Sequence, residues 1–119
     1  TYTMAKPNVI LEKSYNFSIL ILENCWQIQK EKKEFDLTRQ LIRSGTSIGA
    51  NAEEAVGGIS KRDFSAKLSI SYKEARESKY WLRLMKDTEL MNKEIAEGLI
   101  QDCDEILKIL FTIIRTSRG

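Results

Sequence analysis

The chain contains no histidine. This removes the usual general base at neutral pH, the Ser-His and Cys-His nucleophile pairs, and the Glu-x-x-His motif of di-iron bundles. The two cysteines, Cys25 and Cys103, are far apart in sequence and make no zinc signature. Each falls on an apolar helical face, where a buried reduced thiol is expected. Gly57-Gly58 is not a phosphate-binding loop, because no Gly-x-x-x-x-Gly-Lys-Ser/Thr run occurs. Proline appears once, at Pro7, and glycine six times. A β-rich domain needs many more turn residues, so the composition points to a few long helices. Apolar runs such as ILIL at 19–22 fall far short of a membrane span. The opening TYTMAKPNVILEKSYN is too polar for a signal peptide. The expectation is a cytoplasmic protein with no membrane partner, no cofactor and no catalytic residues. Glu54, Glu74 and Glu77 are the minor candidates for a metal site, and none is expected to form.

What is present is helical periodicity. The 119 residues, 42% hydrophobic and 30% charged, fit one domain spanning 1–119. Four helices are expected. The first covers about 9–30, and its apolar residues occupy more than one face, which predicts burial on two sides. The second starts at a cap formed by Asp36 or Thr38 and stops at Gly57-Gly58. The third follows a capping box at Ser60 and Asp63 and runs to about 87, with the stripe Phe64, Leu68, Ser71, Ala75, Ser78, Leu82 and Met85. Asn92 caps the fourth, whose stripe is Ile95, Leu99, Cys103, Ile106, Leu110 and Ile113 and whose end falls near 115. Short connections make neighbouring helices antiparallel, so the fold class is all-α: an up-down-up-down four-helix bundle.

The second helix is unusually smooth. Leu41, Ile48, Ala52, Ala55 and Ile59 form one face, and Ser44, Gly45, Ser47, Gly49 and Ala50 lie among them. A mid-helix glycine costs about 1 kcal/mol against alanine, so this pattern makes sense where another backbone lies close. Arg43, Asn51 and Glu54 sit on or beside that helix and are candidates for a structural polar network that sets register.

The third helix carries most of the positive charge. Residues 60–88 hold eight basic and four acidic side chains. On a helical wheel Lys61, Arg62, Lys73, Arg76, Lys79, Arg83 and Lys86 share one side with Tyr72 and Tyr80. A basic stripe with interleaved rings can track a phosphate backbone and stack on bases. It can also be a solvated face with Lys73 and Glu77 paired one turn apart. Ile70, Trp81 and Leu84 fall outside the bundle stripe of this helix. Ile100, Leu107, Phe111 and Ile114 lie beside that of the fourth. This apolar surplus predicts a subunit interface, with Ile70, Trp81, Leu84 and Phe111 as its candidates.

Three runs carry a family resemblance. Arg43-Ser44-x-x-Ser47-Ile48-x-x-Asn51-x-x-Glu54 resembles the second-helix motif of the bacterial four-helix-bundle proteins encoded in ribosomal RNA intervening sequences. Lys61-x-Asp63-Phe64-x-x-x-Leu68-x-Ile70 resembles that family's entry to the third helix. Lys73-Glu74-Ala75-Arg76-Glu77-Ser78-Lys79-Tyr80-Trp81-Leu82 looks like one of its variants. Gly49 stands where the family often has proline, and Ala55 where it often has glycine. The chain is also similar to the accessory protein of diversity-generating retroelements. The resemblance implies an antiparallel bundle that assembles into rings, pentamers in form, with RNA or DNA and a protein such as a reverse transcriptase as the implied partners. The expected function is a non-enzymatic, oligomeric, nucleic-acid-binding bundle. The alternative is a protein–protein adaptor or scaffold that does not touch nucleic acid.

Overall fold

A computed structural model describes residues 7–58 and 60–118 and contains four helices: α1 (Pro7–Lys32), α2 (Asp36–Val56), α3 (Lys61–Asp87) and α4 (Lys93–Arg118). Each packs on its neighbours in the chain, and α4 closes the ring of contacts against α1. The bundle is elongated, 44 × 19 × 19 Å. Among the described residues no helix is long and apolar enough to cross a membrane. Ile59, expected on the apolar face of α2, lies outside the described residues.

Local chemistry explains the helix ends. Ser60 Oγ accepts the Asp63 N–H at 3.0 Å, and Asn92 Oδ1 accepts the Ile95 N–H at 3.0 Å, both as expected. The cap of α2 differs. Neither Asp36 nor Thr38 supplies it. The longer Glu34 side chain reaches forward and accepts the N–H groups of Leu37 and Thr38 at 3.0 and 3.1 Å. Thr38 is instead buried and accepts Gln29 Nε2 of α1 at 3.0 Å. The Lys32 ammonium, at the end of α1, donates to the carbonyls of Glu89 and Leu90 at 3.1 and 2.9 Å. This ties the α3–α4 turn to the first connection.

The core stripe of α3 matches the expected one at every position. Two other stripes need correction. Helix α1 buries a single face, Ile10, Ser14, Phe17, Ile21, Cys25 and Ile28, and leaves Tyr15 and Trp26 65% and 56% exposed. It has only two neighbours, α2 and α4, so its outer side has nothing to pack on. On α4 the buried apolar positions are Ala96, Leu99, Cys103, Ile106, Leu110 and Ile114. Ala96 is fully buried in place of Ile95, which is 44% exposed and lines a shallow hollow between α1 and the start of α4. Ile113 is partly buried beside the core, and α4 runs to Arg118, a turn beyond the expected end.

The smooth face of α2 serves two neighbours. Toward α1, a Cβ at Gly45 would stand 3.0 Å from Ile21 Cγ2, and one at Gly49 3.3 Å from Ser14 Oγ. Toward α3, Ser78 Oγ donates to Ser44 Oγ at 2.9 Å and Ser71 Oγ to the Ile48 carbonyl at 2.7 Å. Hydroxyls between two backbones satisfy one another and keep the helices near. No buried side-chain nitrogen or oxygen among the described residues lacks a partner. Burial pushes the Cys25 and Cys103 thiols up to about 12, so both stay protonated and inert inside the bundle.

Candidate nucleic-acid interface

The α3–α4 seam of the bundle gathers cations and rings. Tyr72, Arg76, Lys79, Tyr80 and Arg83 of α3 and Leu107 of α4 line an open hollow of about 340 Å³. A second hollow, lined by Tyr72, Leu107, Lys108, Phe111 and Thr112, shares two of those residues. Together they form one valley along the seam. Tyr80 and Phe111 are 52% and 53% exposed. The Tyr72 and Phe111 rings lie 6.3 Å apart, and the Arg115 guanidinium sits 5.9 Å from the Phe111 ring centre.

Of the seven basic residues of the predicted stripe, three line the hollow. Arg76, Lys79 and Arg83 converge in the valley. Lys61 and Arg62 lie in the first turn of α3 and Lys86 in its last, at opposite ends of the helix, and Lys73 is exposed outside the hollow. Lys79 is already held by Asp104 at 2.8 Å. Arg76 and Arg83 make no ion pair among the described residues. The α4 members Lys108, Phe111 and Arg115 complete the cluster. A wheel drawn for one helix cannot show them; the antiparallel register of α3 and α4 is the signal that does.

The predicted polar network divides into separate contacts. Arg43 reaches α3, where Nη1 pairs with Glu74 at 3.1 Å and Nη2 pairs with Glu77. Glu54 pairs with Lys67 at 2.8 Å. The Asn51 side chain turns back to the Ser47 carbonyl of its own helix at 2.8 Å. Lys73 makes no ion pair with Glu77, whose Oε2 accepts from the Trp81 Nε1–H and from Arg43. The Trp81 N–H, and after it Arg43, hold Glu77 below the usual carboxylate range against the opposing effect of desolvation. Glu54, Glu74 and Glu77 are thus engaged by cations, and no cluster able to hold a metal ion is found among the described residues.

Of the four interface candidates, Ile70, Trp81 and Leu84 share one face of α3 at steps of eleven and three, and Phe111 lies on α4. Trp81 is half-buried, bonded to Glu77 on the side of α3 that meets α2. Leu84 is half-buried and Ile70 41% exposed. Phe111 lies in the α3–α4 valley. A different apolar stripe stands free: Tyr15, Ile19 and Trp26 on the outside of α1, at steps of four and seven that share one helical face.

The architecture is that of an all-α, four-helix bundle with a basic and aromatic valley between α3 and α4. Residues 6–112 match the model of the 23S rRNA-intervening sequence protein family, and the chain belongs to it. It is similar to a solved structure from Bacteroides thetaiotaomicron VPI-5482, described as a protein with unknown function from the S23 ribosomal protein family. The two share 43% identity over 88% of this chain and 97% of that one, with a TM-score of 0.86. No curated protein matches.

Proposed function

We propose that this chain is a non-enzymatic bundle that binds nucleic acid, RNA or DNA, through the α3–α4 valley. The observation that carries the reading is the pair Arg76 and Arg83: exposed, without a carboxylate partner among the described residues, and lining one hollow with Tyr72 and Tyr80. A guanidinium left free of carboxylates can displace counterions from a phosphate chain, and that release supplies most of the affinity of sequence-tolerant binding. The net charge of +2 is too small to do this by itself, so binding rests on the local cluster. Fluorescence anisotropy with labelled RNA and DNA should show affinity that falls steeply as salt rises. No binding at low salt would remove this function.

A second reading is favoured by the stripe Tyr15, Ile19 and Trp26. Free rings and a β-branched residue on one helical face are the composition of a protein contact. The partner we assign is a second copy of this chain, giving a homo-oligomer of the ring type implied by the family resemblance. Light scattering at micromolar concentration should then report a multiple of the 13.7 kDa chain mass. A clean monomer at high concentration would exclude it. Binding of nucleic acid by that monomer would leave the first reading intact, and loss of both would leave an adaptor for another protein.

A further inference from the structure

We infer that the valley is built for a single strand rather than a duplex, and holds it by stacking bases on Tyr80 and Phe111. The inference rests on the nucleic-acid reading above and goes further by naming the form of the ligand.

The geometry of the seam does not suit entry into a major groove. A reading helix must enter a major groove about 12 Å wide, and one helix with its side chains, about 10–12 Å across, fills that width. The cations of α3 do not stand on an isolated helix. Lys79 is bridged to Asp104 of α4, and Tyr72 lies against Phe111 of α4, so the valley floor is the junction of two packed helices. Two helices with axes about 8–10 Å apart are too wide for that groove.

The order of side chains suits a single strand. Tyr72, Arg76 and Tyr80 follow one another at intervals of four residues, and Arg83 comes three later. Ring and cation therefore alternate along one side of α3, each about one turn from the next. Tyr72 and Tyr80 stand about 12 Å apart along the helix. Across the valley Phe111 and Arg115 repeat the ring-and-cation pair. An exposed π-face can receive only an unpaired base, because bases in a duplex already stack on one another. Alternating cations then meet the intervening phosphates. This is how sequence-tolerant single-strand binders work. No Asn or Gln lines either hollow, so the readers of adenine edges are absent there.

The test compares labelled oligothymidylate, oligouridylate and a mixed-sequence duplex of equal length by anisotropy. Single strands should bind about tenfold more tightly than the duplex. Tyr80→Ala combined with Phe111→Ala should lower single-strand affinity about tenfold or more. The salt slope should be unchanged, because no phosphate contact is lost. Tyr80→Phe keeps a stacking ring and should retain affinity. Both positions are more than half exposed, and an unchanged thermal melt confirms the fold. Equal affinity for duplex and single strand, with the ring truncations neutral, would overturn this inference while nucleic-acid binding itself survived. Absence of binding to all three probes would remove both.

Discussion

Leucine in place of Gly49, or of Ala52, should lower the melting temperature of the bundle by several degrees or more. Both residues are buried on α2, Ala52 with no exposure at all. A Cβ at Gly49 would already meet Ser14 Oγ at 3.3 Å and the Ser14 backbone carbon at 3.5 Å, so a full isobutyl group has no room unless α1 moves away. Overpacking of this kind costs about 1–3 kcal/mol and sometimes more. Against a domain stability of about 5–15 kcal/mol, that is a drop of several degrees in Tm for each kcal/mol lost. Moving α1 would also strain the Gly45–Ile21 contact one turn away, where a Cβ would stand at 3.0 Å. Circular dichroism melts of the two variants beside the wild type provide the measurement. Unchanged Tm in both would show that the α1–α2 and α2–α3 approaches are looser than described.

Charge reversal at Arg76 and Arg83 should have the largest effect on function. Each phosphate contact contributes about 0.7 to the slope of log affinity against log salt on single strands and about 0.9 on duplex DNA. Arg76→Glu with Arg83→Glu removes two such contacts and adds repulsion. The slope should therefore flatten by about 1.4 on a single strand, and affinity at low salt should fall by more than the tenfold expected from the ring truncations. The fold should survive, because both arginines are exposed and make no ion pair among the described residues, and surface substitutions of this kind usually stay within about 0.5 kcal/mol. A matched reversal at Lys61 and Arg62, outside the valley at the start of α3, should weaken binding less. Equal losses from the two pairs would show that diffuse charge, and not the valley, attracts the ligand. Binding untouched by either would move the site elsewhere on the molecule.

Much of the bundle was legible in the residues themselves. The stripe from Phe64 to Met85 is read correctly because α3 is long and its apolar residues repeat at heptad spacing. The caps at Ser60 and Asn92 follow from side chains that can accept a specific N–H. The smoothness of α2 announces close packing, since glycine and serine at 44, 45 and 49 are costly in a helix that touches nothing. The misreadings share a different origin. Ile95 and Ala96 both fit the period of α4, and hydrophobicity alone favours the isoleucine. The rotation of α4 in the bundle decides for the alanine, which is fully buried while the isoleucine stands 44% exposed. Tyr15, Ile19 and Trp26 look like a second buried face of α1, yet the bundle supplies that helix with only two neighbours.

The sequence alone determined the helical class, the number and approximate limits of the helices, the absence of a histidine-based mechanism and the concentration of positive charge on the third helix. These are properties of one segment at a time, carried by periodicity and residue chemistry. The tertiary structure decided which cations are free. It gives Lys79 to Asp104, gathers Arg76 and Arg83 with two tyrosines, and adds Lys108, Phe111 and Arg115 from α4. It also separates Arg43, Asn51 and Glu54, which share a motif but not a contact. Ion pairing and the joining of two faces depend on the register between helices. That register is set by side-chain volumes packing across the seam, a relation between segments that no single helical period contains.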